Sequence, residues 1–317
     1  MRDSSSTLSS LIIDTDAGVD DAIAILMALT HPRTQVVGIT TVNGNVDVDK
    51  VTDNVCLILD QTDSDIPVFK GCDRPLFAAP VNADGVHGSD GLGGVAANYL
   101  PSRRKQEPEH AALALMRLAR EHSGNFKLLT LGPLTNLALA VRLDPDFVKH
   151  VPRLVVMGGA IEAHGNVTPT AEYNIFADPE AAAIVFEAGF PEIWLVSWET
   201  TLKYPLLWDQ FDRLASQATP NGKFFKDITA FTAQALRERF GLPGLLMPDP
   251  LAAAVALEPQ IVMEAPYLPV SVVTNDKQAR GMTIVDWMNQ SGEPANVHVV
   301  IALDENSVFG MLGSALG

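Results

Sequence analysis

Cysteine is almost absent: Cys56 and Cys72 are the only two in 317 residues. So few thiols in so long a chain exclude a disulfide framework, and Cys56, inside an apolar helical pattern, is expected in the core. Basic residues are also short, 22 Lys and Arg against 38 Asp and Glu, for a formal net charge of −16. A nucleic-acid surface needs a basic stripe, so no nucleic-acid partner is expected. A small neutral or cationic ligand is compatible with this balance, and solubility accounts for much of the excess acid. No apolar run reaches the ~20 residues that span a bilayer, so no membrane partner is expected. The first ten residues are polar and serine-rich, without an apolar stretch of signal-peptide length. A soluble, cytoplasmic protein is the expectation. Internal repeats and low-complexity linkers are lacking too, so residues 1–317 read as a single large domain.

What is present is a 47% hydrophobic composition and an alternation of short β-rich runs with apolar helical patterns. Strands are predicted from Leu11, over Gln35–Val42, Ile66–Lys70, Phe126–Leu131, Leu154–Met157 and Ile193–Ser197. Helices are predicted near 20–30, 47–61, 110–121, 134–141 and 178–187, then two over 205–240, one after Asp249-Pro250 and one over 305–316. Such alternation means an α/β fold: an open, mostly parallel sheet flanked by helices on both faces, with a Rossmann-like core. Between Ile261 and Asp304 the short strands look antiparallel, so extra short strands and helices occupy the C-terminal third.

The chain is organised around Leu11-Ile12-Ile13-Asp14-Thr15-Asp16-Ala17-Gly18-Val19-Asp20-Asp21-Ala22. An apolar strand runs into four aspartates and then into a helix. Carboxylates this close repel one another unless protons or a cation neutralise them, and a hard divalent cation takes carboxylate oxygens directly. Helix capping and the helix dipole explain Asp20 or Asp21 alone, but not all four. Gly18 is expected to supply the tight turn between them. Other polar residues also follow strands: Asn45, the end of Phe126–Leu131, the loop after Gly159, and Asp249 behind the Gly/Pro-rich stretch 241–248. Ligands bind at the carboxyl edge of an open parallel sheet, so these residues are expected to converge there. The long loops 72–105 and 160–177 are expected to serve the same place.

Asp14-Thr15-Asp16-Ala17-Gly18-Val19-Asp20-Asp21-Ala22 resembles the signature of the nucleoside hydrolases, the inosine–uridine-preferring N-ribohydrolase family. Further blocks resemble the family in family order. They are Ile39-Thr40-Thr41-Val42-Asn43-Gly44-Asn45, Gly71-Cys72-Asp73-Arg74-Pro75-Leu76, His87-Gly88 with Gly91-Leu92-Gly93, and Leu131-Gly132-Pro133-Leu134-Thr135-Asn136. Met157-Gly158-Gly159, Ala171-Glu172-Tyr173-Asn174, Asp178-Pro179-Glu180-Ala181-Ala182 and Asp249-Pro250 continue the series, so the resemblance covers nearly the whole chain.

That resemblance implies hydrolysis of the N-glycosidic bond of ribonucleosides to free base and ribose, by a homodimer or homotetramer. It implies a Ca²⁺ held by Asp16, Asp21, Asp249 and the backbone carbonyl of Leu131, its shell completed by ribose hydroxyls and a water. Asp16 would also be the general base. Asp20, Asn45, Met157, Asn166, Glu172, Tyr173 and Asn174 would contact the substrate. His87 matches a family histidine near the nucleobase and has a pKa range suited to an acid; otherwise it packs the lid.

The chain departs from the pattern in one consequential place. Many members carry a proton-donating histidine just before the aspartate that matches Asp249; here that position is Pro248, which has no proton to give. Trp198-Glu199 departs too, and the Trp198 ring either stacks on a base or fills core. His164 is a further candidate in the second loop. Two alternatives follow: a nucleoside- or ribose-binding protein with little turnover, and an aspartate-nucleophile phosphatase in which Asp14 attacks phosphorus.

Overall fold

Eight strands form the central sheet, in the order β3-β2-β1-β4-β5-β6-β13-β10. The structure is a computed structural model that describes residues 8–317; residues 1–7 of the polar N-terminal stretch lie outside the described residues. In chain order the first half runs β1 (Ser9–Thr15), α1 (Val19–Thr30), β2 (Thr34–Thr41), α2 (Val48–Gln61), β3 (Val68–Lys70), α3 (Asp84–His87), α4 (Ala111–Glu121), β4 (Phe126–Thr130), α5 (Thr135–Leu143) and β5 (Arg153–Met157). It continues with α6 (Tyr173–Ala177), α7 (Pro179–Glu187), β6 (Ile193–Val196), α8 (Trp198–Lys203), β7 (Leu206–Leu207), α9 (Trp208–Ala215), α10 (Pro220–Gln234), β8 (Gly244–Leu245) and α11 (Pro248–Leu257). The last part holds β9 (Val262–Glu264), β10 (Tyr267–Leu268), β11 (Val270–Val272), β12 (Thr283–Val285), β13 (Val297–Val300), β14 (Ala302–Leu303) and α12 (Glu305–Leu316).

Side chains on a strand alternate between faces, and here each face has its own apolar layer. Leu11 and Ile13 of β1 pack with α1, α2, α11 and α12, whereas Ile12 packs with α4, α5 and α7. Both faces are therefore covered, as a parallel sheet requires. Cys56 is buried in the first layer, and burial pushes its thiol up to about 11. Among the described residues no helix is long and apolar enough to cross a membrane.

The expected architecture holds, with differences in the C-terminal strands and in the short helices. The C-terminal strands are mostly antiparallel, but β13 runs parallel to β6 and extends the main sheet, leaving β10 as its antiparallel edge. A short pattern in β13 marks a strand; its partner is set by packing. Three short helices are absent from the sequence reading: α3 and α6, inside the two long loops, and α8. The six residues of α8 are too few to show a helical period, and the Ser197 side chain caps it by accepting from the Thr200 N–H.

The chain builds β1, β2 and β3 outward to one side and β4, β5 and β6 outward to the other. The order reverses between β1 and β4. Loops leaving those two strands diverge and open a crevice at their carboxyl ends, the topological switch point.

Candidate active site

The crevice is a cavity of about 850 Å³. Leu131, which follows β4, lines it, whereas Asp16, which follows β1, and Asp21, in α1, are buried and are not among its lining residues. The backbone between Asp16 and α1 turns through Ala17, at φ +34, a left-handed conformation held by its N–H donating to Thr15 Oγ1 at 3.0 Å. Gly18 itself sits at φ −81, so its expected role in the turn is corrected. Glycine is needed there for space: a Cβ would come within 2.6 Å of both Asn45 Nδ2 and His87 Nδ1.

Asp20 and Asp21 occupy the first turn of α1, and Asp249 the first turn of α11. Carboxylate oxygens of Asp20, Asp21 and Asp249 lie within 4.8 Å of one another and could hold a metal ion. This trio differs from the set implied by family resemblance, because it contains Asp20 and lacks Asp16. Asp16 Oδ2 is taken by the Asn45 N–H at 2.8 Å, while Oδ1 is buried with no hydrogen-bond partner. Gly44 makes room for that carboxylate, since a Cβ there would meet Asp16 Oδ2 at 2.0 Å. Leu131 O already accepts the Asn174 amide at 2.6 Å. Asp21 is the most tied of the four. It accepts from Thr15 Oγ1 at 2.5 Å, the Gly18 N–H at 2.8 Å and Asn45 Nδ2 at 3.2 Å.

Electrostatically the group is under strain. Burial pushes Asp16, Asp21 and Asp249 up from the usual carboxylate range, and their mutual repulsion adds to it. Asp20 is pushed up to about 6 by burial, and its Oδ1 has no hydrogen-bond partner. Among the described residues lining the cavity there is no lysine or arginine. Unpartnered buried oxygens, crowded acids and no cationic side chain fit a hard divalent cation.

The structure brings Asp20, Asn45, His87, Leu131, Met157, Asn166, Glu172, Tyr173, Asn174 and Asp249 to the cavity wall. Several are already engaged with protein. Glu172 caps α6 through the Asn174 N–H at 2.9 Å and takes the Gly159 N–H at 2.8 Å; burial pushes it up to about 7. Tyr173 Oη lies 2.8 Å from both Gly44 O and Val81 O, tying two loops together. Asn166 Oδ1 accepts the Tyr173 N–H at 2.9 Å. Asn174 Nδ2 also lies 3.2 Å from Met157 Sδ.

His87 Nδ1 accepts the Val19 N–H at 3.1 Å, which places its proton on Nε2, and Asp20 Oδ1 is 3.6 Å away. Burial pushes the ring down to about 4, against the pull of Asp21. At neutral pH the imidazole is neutral, so it offers an Nε2–H donor in place of the titrating acid read from the sequence. Trp198 stands in the cavity wall, whereas His164 is exposed and outside it. Asp14 is fully buried and accepts from Thr40 at 2.5 Å and Asn136 at 2.8 Å. It does not line the cavity, and the phosphatase alternative is not favoured. Sequence reasoning missed the far wall, Val86, Leu236, Phe240 and Leu242, which comes from α3 and from the π-helical turn after α10. Its apolar residues carry no chemical signature; only a π-helical turn, often found at functional sites, marks it.

The profile of the inosine-uridine preferring nucleoside hydrolase family matches residues 11–310. A pyrimidine-specific ribonucleoside hydrolase of Escherichia coli, RihB, is 35% identical over 303 residues, covering 95% of each chain. A solved plant nucleoside hydrolase superposes with a TM-score of 0.90 at 33% identity, over 97% of this chain and 98% of its own. A solved inosine-guanosine nucleoside hydrolase gives 0.90 at 33% identity, over 98% and 99%.

Proposed function

The chain belongs to the inosine-uridine preferring nucleoside hydrolases, and from that membership we propose a calcium-dependent N-ribohydrolase in which Asp16 is the general base. Hydrolysis of the N-glycosidic bond of ribonucleosides is the activity of the family; the metal and the residue roles are the present reading. Asp16, Asp21, Asp249 and the carbonyl of Leu131 would hold the ion. When bound, it supplies the positive charge that keeps these carboxylates ionised at neutral pH and acidifies a nearby water.

The observation that carries the reading is Asp16 itself. One oxygen is locked by a backbone N–H, and the other is buried without a hydrogen-bond partner. An unpartnered oxygen on a fixed carboxylate is what proton abstraction from water needs. Asp20, Asn45, Asn166 and Asn174 receive the sugar, with Met157, Glu172 and Tyr173 shaping its wall. As the bond to the base breaks, positive charge develops on the sugar, and the surrounding carboxylates and amide oxygens stabilise it. Pro248 gives no proton to the departing base, so the neutral His87 is proposed on that side as a hydrogen-bond donor through Nε2–H that stabilises the base as it leaves with the bonding electron pair, the base then taking its proton from water. A binder without turnover is not favoured, because the water-activating carboxylate is in place.

Base preference is not inherited from overall similarity: relatives at 35% and 33% identity are named for pyrimidine and for inosine-guanosine substrates. Work in the cytoplasm and homo-oligomeric assembly belong to the same proposal; both cysteines are free, which suits a reducing compartment. The test is a base-release panel over purine and pyrimidine ribonucleosides, with metal chelated and then Ca²⁺ restored. Release that follows Ca²⁺ supports the reading, and release undiminished by chelator overturns it.

A further inference from the structure

The loop after β5 brings Gly165, Asn166 and Val167 to the cavity wall. Core packing does little to shape it, since residues 162–170 are exposed or half-buried. Its second half is tied by backbone N–H groups of Gly165, Asn166 and Val167 to Pro169 O and Ala171 O, and two carboxylates hold its first half. Glu172 grips its start through the Gly159 N–H at 2.8 Å. Glu199 grips the next stretch: Oε2 accepts the Ile161 N–H at 2.8 Å, and Oε1 accepts the Glu162 N–H at 2.9 Å and the His164 N–H at 3.3 Å. Among the described residues no other side chain accepts from these three groups.

Glu199 is itself well fixed. It lies in the first turn of α8, whose Trp198 N–H donates to Gly159 O at 2.9 Å. The gripped stretch contains Ala163 at φ +58, a left-handed conformation that alanine keeps only when surrounding contacts impose it. Between the last gripped residue and Asn166 stands only Gly165. A Cβ there would lie 2.1 Å from Thr168 O, so the chain has no slack at that point. The position of His164 is thereby passed to Asn166, whose own N–H is bound to Ala171 O at 3.1 Å.

We propose that Glu199 is a positioning residue for the substrate: by holding the backbone N–H groups of Ile161, Glu162 and His164, it sets Asn166 where the sugar is received. The proposal rests on the nucleoside-hydrolase reading for the role of Asn166. Glu199 touches no reacting atom and acts through the loop, so its loss weakens binding in the ground and transition states alike and raises KM with little change in kcat.

The test is a double-mutant cycle with Glu199→Ala, Asn166→Ala and the pair. It reads kcat and KM for inosine and uridine, the Kd for D-ribose by calorimetry, and melting temperature as a check on folding. Glu199→Ala should raise KM and ribose Kd about tenfold, with kcat within about threefold. On the Asn166→Ala background the same change should add less than about twofold. Glu199→Gln keeps one acceptor oxygen and should fall between; it carries the test if the alanine variant does not fold. An unchanged KM with a lowered melting temperature would make Glu199 a folding residue only and overturn the proposal. So would an effect that multiplies undiminished on Asn166→Ala. If the parent chain releases no base, the hydrolase reading fails, and the cycle in ribose Kd still decides the role of Glu199.

Discussion

At the amino ends of the strands, Glu258 is met by His31 Nε2 at 2.8 Å and by the Arg33 guanidinium. Burial works to raise its pKa, but hydrogen bonds from Arg33, Gln260 and His31 hold it below the usual carboxylate range. Nearby, Lys127 Nζ donates to Ala256 O at 2.7 Å and Arg153 pairs with Glu192 at 2.7 Å. At the carboxyl ends, Asp16, Asp20, Asp21 and Asp249 face one another without a cationic side chain, and all four are pushed up. Both ends hold a hollow, about 620 Å³ beside Glu258 and about 850 Å³ beside Asp20 and Asp249. Cavity size does not separate them. The state of the charges does: satisfied at one end, and at the other dependent on something from outside the chain.

Four experiments press on that contrast. The largest effect should come from Asp16→Ala, which removes the unpartnered oxygen; kcat for base release should fall by at least ~10³-fold. A loss of less than tenfold would remove Asp16 from the role of base. Next comes chelation. An ion bound only by the folded state stabilises it by about 2.7 kcal/mol at a hundred times Kd, so stripping should abolish turnover and lower Tm by several degrees. A melting curve indifferent to chelator would leave the acidic end without its proposed partner.

The third experiment is a pH series on the stripped protein. Asp14 and Glu172 are pushed up to about 7 and Asp20 to about 6, all above their ordinary carboxylate values. These three carboxyls bind more protons in the folded chain than in the unfolded one between about pH 4 and 7, which outweighs the single proton that His87, pushed down to about 4, takes up only on unfolding, so stability falls as pH rises through that window. Tm should be higher near pH 5 than near pH 8, and saturating Ca²⁺ should flatten the difference. A stripped protein more stable at pH 8 would contradict the assigned burial. The smallest effect is expected at the paired end. Glu258→Gln should cost about 1–2 kcal/mol, a Tm drop of ~2–4 °C, with KM unchanged. A KM shift above threefold would show that the two ends are coupled.

Much of this was legible along the chain. The strand-to-helix switch at 11–24 and the clustering of aspartates are local patterns; of the acids they single out, Asp20 and Asp21 fall in the carboxylate trio and Asp16 does not. The polar residues behind strands, Asn45, Asn166 and Asn174, do reach the cavity. Three things escaped. Helices α3, α6 and α8 are too short to show a period, β13 does not declare its neighbour, and Leu236, Phe240 and Leu242 are scattered through a charged stretch that reads as surface. Gly18 was credited with a turn that Ala17 makes, because a glycine's need for space is invisible until Asn45 and His87 stand against it.

The order of strands and helices, and the places where acid interrupts apolar runs, were determined by the sequence alone, because periodicity and side-chain charge are properties of neighbours in the chain. Which carboxylate oxygens end with partners was decided only in three dimensions. Asn45 N–H reaches Asp16 across 29 positions, and Glu199 reaches Ile161 across 38. A hydrogen bond is satisfied by geometry, and geometry between distant residues exists only once the layers have packed.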